Sequence, residues 1–474
     1  MLKPIFSKFV CILVVFTLSG CATIQFRDLF SGYAQQMEPV KLQTINGQYE
    51  QALKQVPERD ISDTNYVLVL LEKGRLKHLA GDYKASKHYF SQASAYIDEQ
   101  KLKAKFQVSK GIQNIGAIIS NDNAITYMVP DYEQSMMHSY QALNYLYLDD
   151  HEGALIEIRK ANLVQRAALK NNFDTINDAI TSLQDDVELD WQSISATYPE
   201  MEDVIGKVKN GFQNAYTFYI SAVLYEASGE LNDAYIDYKK ALEIYPDNQY
   251  LQHDVLKLAS KLGMTDDLTK LEKRFGKYNN NEQKSIGQVV VMYDQGLVEE
   301  RDEMVLRLPV YTSKDEMRFY SISLPVYQQS NQFDTSAQLD IDHKTLEFDQ
   351  IVKVDALAAQ TLKSQLPSLI TRQVIRLIAK EKMRKKMSKE GGDVGNIIAN
   401  LYNLSSERAD TRSWLTLPQS SNILRANLTP GKHSLSLKVG GINKQINVDV
   451  KANRITLVNI IATGNHIDYK TVNL

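Results

Sequence analysis

The chain has 474 residues, 43% of them hydrophobic and 23% charged, with 22 Gly and 11 Pro. That is globular composition, at a length that suggests about three domains. Its 54 basic and 57 acidic residues leave a net charge of −3, which speaks against a nucleic-acid partner, and its two cysteines exclude a disulfide scaffold or a multi-cysteine metal site.

The N-terminus has the layout of an export signal. Lys3 and Lys8 precede an apolar run from Phe9 to Phe16, which is too short to span a bilayer. The run closes on Leu18-Ser19-Gly20-Cys21, which resembles the bacterial lipobox. That resemblance implies a signal peptide over 1–20, a diacylglycerol and a further acyl chain on Cys21, and a tether over 21–45. Cys11 leaves with the signal, so acylation of Cys21 accounts for the last thiol. Ala22 is not the Asp that retains enterobacterial lipoproteins at the inner membrane. The resemblance therefore implies the periplasmic face of a Gram-negative outer membrane, with a permanent anchor.

Residues 46–283 read as a helical repeat domain. The clearest unit is Phe218, Ala222, Tyr225, Ala234, Tyr238, Ala241 and Pro246, the spacing of the tetratricopeptide (TPR) pattern with Ser221 where Leu is usual. Small residues at 222 and 234 let two antiparallel helices approach, Gly229 makes the turn and Pro246 ends the unit. Two further copies run through Ala142, Tyr145, Ala154, Ile158 and Ala161, and through Leu70, Gly74, Gly81, Ser86, Phe90 and Ala93. Between them a helix is expected over about 102–119, followed by a loop at Asn121-Asp122-Asn123. An acidic insertion falls around 172–208, and capping helices over 250–278. TPR arrays take peptides or helices on the concave face of each first helix. That frame selects Met136, Ser139, Leu143 and Tyr147, then Tyr216, Tyr219, Val223 and Glu226, as partner-binding residues.

After Asn279-Asn280-Asn281 the texture turns to strands. An α+β domain is expected over 284–404, with strands at 288–293, 319–324, 337–341 and 348–354. A long helix follows from Ala356 to Lys389, with Pro367 opening its second segment. A small β-rich domain is expected over 405–474, its short alternating strands suggesting an antiparallel sandwich. The fold class is thus α+β multidomain: a TPR-like solenoid, an α+β region and a small sandwich. Residues 21–283 hold 27 basic and 37 acidic side chains, net −10, whereas 284–474 hold 25 and 20, net +5. Much of that surplus sits on one helix. Arg372, Arg376, Lys380, Arg384 and Lys385 are candidates for an anion-facing surface; a packed helix with a solvated basic face and docking against the acidic helical half are the other readings.

No phosphate loop, nucleophile elbow or His-Glu-x-x-His occurs. The acidic string Asp340-Ile341-Asp342-His343 lacks the Gly of a calcium loop, so neither metal nor cofactor is expected. The chain is read as a binding protein rather than an enzyme. One string stands apart, Ala409-Asp410-Thr411-Arg412-Ser413-Trp414-Leu415-Thr416-Leu417-Pro418. With Asn121-Asp122-Asn123-Ala124, Asp131-Tyr132-Glu133 and Ala142-Leu143-Asn144-Tyr145 it resembles a family of uncharacterised proteobacterial TPR lipoproteins of the outer membrane, a resemblance that brings no activity with it. Arg412 and Trp414 are either a buried stacked pair or a junction binding site. The reading is an envelope scaffold with a protein partner; the alternative is a peptidoglycan or carbohydrate binder using the C-terminal β module.

Overall fold

The computed structural model describes residues 32–109, 122–171, 188–189, 198, 201–278, 286–311, 317–328, 336–342, 344–374, 376–377 and 408–474. Its first half is a run of helical hairpins. Helices α1 (Tyr33–Ile45) and α2 (Tyr49–Gln55) lead into α3 (Tyr66–Leu79) with α4 (Tyr83–Ser109), then α5 (Asp131–Tyr147) with α6 (His151–Asn171). A short α7 (Glu202–Ile205) precedes α8 (Ala215–Ser228) with α9 (Leu231–Ile244), and α10 (Gln249–Lys261) with α11 (Thr265–Phe275) closes the run. The segment at 33–45, expected as tether, is instead core helix, with Met37 and Val40 wholly buried.

Small residues set the helix spacing as the sequence pattern requires. A Cβ on Gly74 would stand 2.5 Å from the Phe90 ring, and one on Gly153 2.2 Å from that of Tyr145. Ala222, Ala234, Tyr238 and Ala241 are all fully buried, and Gly229 ends α8 at φ 86°. Ser221, the departure from the TPR pattern, has a partner of its own. Its hydroxyl donates to Asp237 (2.6 Å), and Asn162 Nδ2 reaches both (3.0 and 2.6 Å), joining α6 to the next hairpin through a buried polar network.

The second half is built from strands β2 (Gly287–Gln295), β3 (Asp302–Tyr311), β4 (Met317–Val326), β5 (Gln338–Ile341), β6 (Lys344–Glu347) and β7 (Asp349–Lys353). A helix α12 (354–374) follows, and then β8 (Ser420–Leu428), β9 (Gly431–Val439), β10 (Ile442–Val450), β11 (Ile455–Thr463) and β12 (His466–Asn473). Helix α12 runs through Pro367 without a break, so no second segment starts there. A two-residue strand in the acidic insertion, β1 (Glu188–Leu189), pairs with β3.

No separate domain begins at 405. The five-stranded sheet has the order β12-β11-β2-β8-β7, and the four-stranded sheet β10-β9-β5-β6, so each is built from strands on both sides of that boundary. The larger sheet is mixed rather than antiparallel, because β11 lies parallel to β2, with Val458 beside Val291. Alternation along β2 explains its position at the centre. Val289, Val291 and Tyr293 join an apolar cluster with Leu435, Leu437, Ile446 and Val448 of the smaller sheet, while Val290 and Met292 join the core shared with the helices. The central sheet is therefore covered on both faces.

Candidate functional site

The expected partner groove is filled by the chain itself. Met136, Ser139, Leu143, Tyr216, Tyr219 and Val223 are all fully buried, Tyr147 and Glu226 partly so, and they pack into one core with the sheet face of β2, β8 and β11 and the segment 409–417. An open peptide groove on these eight residues is corrected to an internal seam. The physical reason is composition: a concave stripe of Met, Leu, Val and Tyr is an apolar surface that a sheet face with Val290, Met292, Ile423 and Leu457 can bury.

Three polar clusters cross the seam. Arg75 on α3 lies 3.8 Å from the Tyr140 ring centre and 3.3 Å from Asp294 at the end of β2. Asp294 also accepts from Ser421 Oγ at 2.6 Å and Tyr140 OH at 3.4 Å. Burial raises its carboxyl above the usual carboxylate range, and Arg75 and Ser421 pull it back. Further along, Arg425 on β8 reaches Asp254 at 3.1 Å, Glu226 at 2.9 Å and Tyr238 OH at 2.8 Å, with Lys257 also on Glu226. Burial alone would raise Glu226, but Arg425 and Lys257 outweigh it and hold the carboxylate down.

The third cluster is the string around Trp414. Arg412 makes a two-pronged pair with Asp410 (2.8 and 2.7 Å) and donates to the carbonyls of Asp122 (2.9 Å) and Ile125 (2.8 Å). Trp414 is fully buried, its ring 5.8 Å from that of Phe90, and its Nε1 donates to Thr416 Oγ1 (3.0 Å). Two buried glutamates hold the strap's backbone. Glu133 on α5 accepts the Trp414 N–H (3.0 Å), and Glu72 on α3 accepts those of Leu415 (2.8 Å) and Thr416 (3.2 Å). Thr416 Oγ1 and Tyr33 OH also donate to Glu72, and Tyr127 and Tyr132 to Glu133. Burial pushes Glu72 up to about 7 against those donors, which pull it down, and raises Glu133 as well.

Arg412 and Trp414 are thus a structural joint, and the separate strings that carry the family resemblance meet in it. Asp122, Tyr127, Tyr132, Glu133 and the 409–417 strap are neighbours in space, and Asn144 in the same hairpin binds His78 (2.7 Å) and Ser86 (2.8 Å). Glu133 belongs to the Asp131-Tyr132-Glu133 string, whereas Glu72 carries only a local signal, an acidic residue within an apolar first-helix run, Leu70-Leu71-Glu72.

The basic helix is corrected in part. Arg376 is buried and donates to Asp122 at 2.9 Å, so it faces inward, and Arg372 stands 3.5 Å from the same carboxylate with 41% of its side chain exposed. Asp122 draws both in because it is itself a buried carboxylate. Lys380, Arg384 and Lys385 lie outside the described residues, as do Cys21 and its signal. Among the described residues no group of three or more His, Cys, Asp or Glu could hold a metal, and no helix is long and apolar enough to cross a membrane.

No protein-family model matches this sequence, and no curated protein does. Solved structures similar to parts of it are TPR-type proteins. MamA of AMB-1 is 11% identical with a TM-score of 0.26, covering 53% of this chain and 93% of its own. BtubC (BKLC) from P. vanneervenii is 12% identical with a TM-score of 0.27, covering 53% and 84%. The TPR2AB domain of yeast Sti1, solved in complex with pHSP90, is 10% identical with a TM-score of 0.17, covering 51% and 88%. At these values the likenesses say nothing of function. The helical-repeat architecture of residues 66–275 rests on its own geometry.

Proposed function

We propose that this chain is an outer-membrane lipoprotein, held by acylated Cys21 at the periplasmic face, that serves as a protein–protein interaction scaffold of the cell envelope. The observation that carries the reading is the hairpin array itself, stacked in series behind the lipobox-like Leu18-Ser19-Gly20-Cys21. Because its concave side is occupied from within, the partner is taken on outer surfaces. Ile156 and Ile236 are exposed apolar residues that stand two positions after the small residues Ala154 and Ala234 of successive units. A photo-crosslinker at these two positions in the acylated protein, followed by mass spectrometry, is expected to capture a defined envelope protein. Blanks from both, together with an empty affinity purification from membranes, would sink the scaffold reading. The envelope address is tested apart from this: Cys21→Ala is expected to abolish acyl labelling and to release the protein from membranes. Sedimentation of the full mature chain with purified sacculi would favour glycan binding instead.

A further inference from the structure

Among the described residues the five most exposed large apolar side chains are Leu102 (68%), Ile61 (64%), Val305 (60%), Leu163 (58%) and Met128 (57%). Leu163 stands apart on α6, but the other four gather. These four come from α4, the turn before α3, strand β3 and the loop before α5, yet a continuous set of hydrogen bonds places them at one end. Ile61 lies within the turn closed by Asp63 N to Asp60 O, and the next residue along, Thr64, accepts from Tyr127 N (2.9 Å), the neighbour of Met128. Lys101, beside Leu102, donates to Gln134 (2.6 Å), which in turn donates to the carbonyl of Val129. Thr64 Oγ1 binds the Asn123 carbonyl, Asn123 binds that of Ala409, and the Ala409 N–H binds Glu303, two residues from Val305. Exposed apolar residues also occur singly elsewhere, such as Leu163, Ile156 and Ile236, and need no explanation there, but four gathered at one end do.

The described body also begins at that end. Gly32, the residue before α1, sits so close to Thr411 that a Cβ would come within 2.9 Å of its hydroxyl, and Arg412 next to it holds Ile125 and Asn65. Eleven residues, the length of 21–31, can reach no more than roughly 35–40 Å. A lipid on Cys21 would therefore bring this end, before any other, to the bilayer. Arg372, the partly exposed cation beside Asp122, lies on the same side.

We propose that this end is a membrane-contacting face, in which Ile61, Leu102, Met128 and Val305 enter the boundary between headgroups and acyl chains. The proposal rests on the reading of Cys21 as the anchor. It gives the body a fixed orientation: the open ends of the first helices toward the lipid, and the turns between the helices of each hairpin, such as Gly81-Asp82 and Gly229-Glu230, toward the periplasm.

The test uses the mature full-length chain with a hexahistidine tag in place of Cys21, bound to vesicles of phosphatidylethanolamine and phosphatidylglycerol through a nickel-chelating lipid. This chain has no other thiol, so Ile61→Cys, Leu102→Cys and Val305→Cys report on the face, and Ile156→Cys and Ile236→Cys, early in α6 and α9, report on the opposite end. Each is labelled with a polarity-sensitive fluorophore and titrated with lipid carrying a quencher. Quenching at least threefold stronger at the first three positions than at the last two is expected. Equal quenching at all five overturns the proposal and leaves this end to a protein partner. Since the tag replaces the lipid, the outcome does not depend on acylation; acyl labelling of wild type against Cys21→Ala decides the anchor separately.

Discussion

The two faces of the central sheet are buried by different means. Toward the smaller sheet, β2, β8 and β11 present Val289, Val291, Leu424, Val458 and Ile460 to a purely apolar cluster. Toward the helices, the alternate residues include Asp294 and Arg425, each locked to partners on α3, α5, α8 or α10. Apolar contact is non-directional, so the first face sets only that the sheets meet. The buried ion pairs of the second face can form in one register only, at the cost of desolvating the charges. The lesson is that the fold uses hydrophobic area to join its sheets and charge to choose how the sheet sits in the helical groove.

Removing one charge from the second face is the strongest way to break that contrast. Arg425→Ala leaves Glu226 and Asp254 to share Lys257 alone, and is expected to lower stability by about 3–5 kcal/mol in urea unfolding. Leu437→Ala, on the first face, leaves only a cavity and should cost about 2–5 kcal/mol, with no change in the sensitivity of stability to salt or pH. The joint replacement Arg75→Met with Asp294→Leu removes both members of a pair and should cost less than Arg75→Ala alone. If the double variant proves the weaker of the two, the pair does more than fix orientation.

A subtler change sharpens the contrast at the strap. Glu72→Gln exchanges a carboxyl, which at pH 5 has a single O–H to place, for an amide that must point its N–H groups at the donors of Leu415 or Thr416. At pH 5 it should cost about 1–3 kcal/mol. Burial raises Glu72 from 4.5 to about 7 in the fold, so the folded chain holds this proton more tightly than the unfolded one. That contribution is complete below pH 4.5 and is lost as pH rises through 7. Wild type therefore loses up to ~3 kcal/mol over this range that the variant does not, and the gap between them narrows with pH. Equilibrium unfolding at pH 5, 6, 7 and 8 reads it directly. The smallest effect belongs to the outer surface, where Ile236→Ser should shift stability by no more than about 0.5 kcal/mol.

The helical hairpins were legible because their signal is local. Gly74, Ala154, Ala222 and Ala234 fall at spacings fixed by helix geometry; Gly74 meets Phe90 of its own unit, and the three alanines are wholly buried. The fate of the groove was not legible, since the strands that fill it lie far along the sequence and periodicity says which face of a helix is buried, never by what. Met136, Leu143 and Val223 read equally well as a peptide site and as a core. The strand pairing of β2 with β11 was hidden for the same reason, which is why a domain boundary was drawn at 405 where none exists. Arg412 and Trp414 were marked as notable from sequence, but only the positions of Asp122, Glu72 and Glu133 make them a joint.

The order of strands in the larger sheet has a consequence in time. Strand β2 is complete once residue 295 has been made, but both its neighbours, β8 and β11, come from the last stretch of the chain. Until then a finished helical array displays an uncovered stripe of Met, Leu, Val and Tyr side chains, and β2 offers two unpaired edges. A chain that emerges from its N-terminus first must keep this surface out of trouble while more than a third of its length follows. A nascent or truncated form stopping before residue 455 is then the aggregation-prone and protease-sensitive species, and the final hairpin, β11 with β12, acts as the closing stitch of the whole molecule.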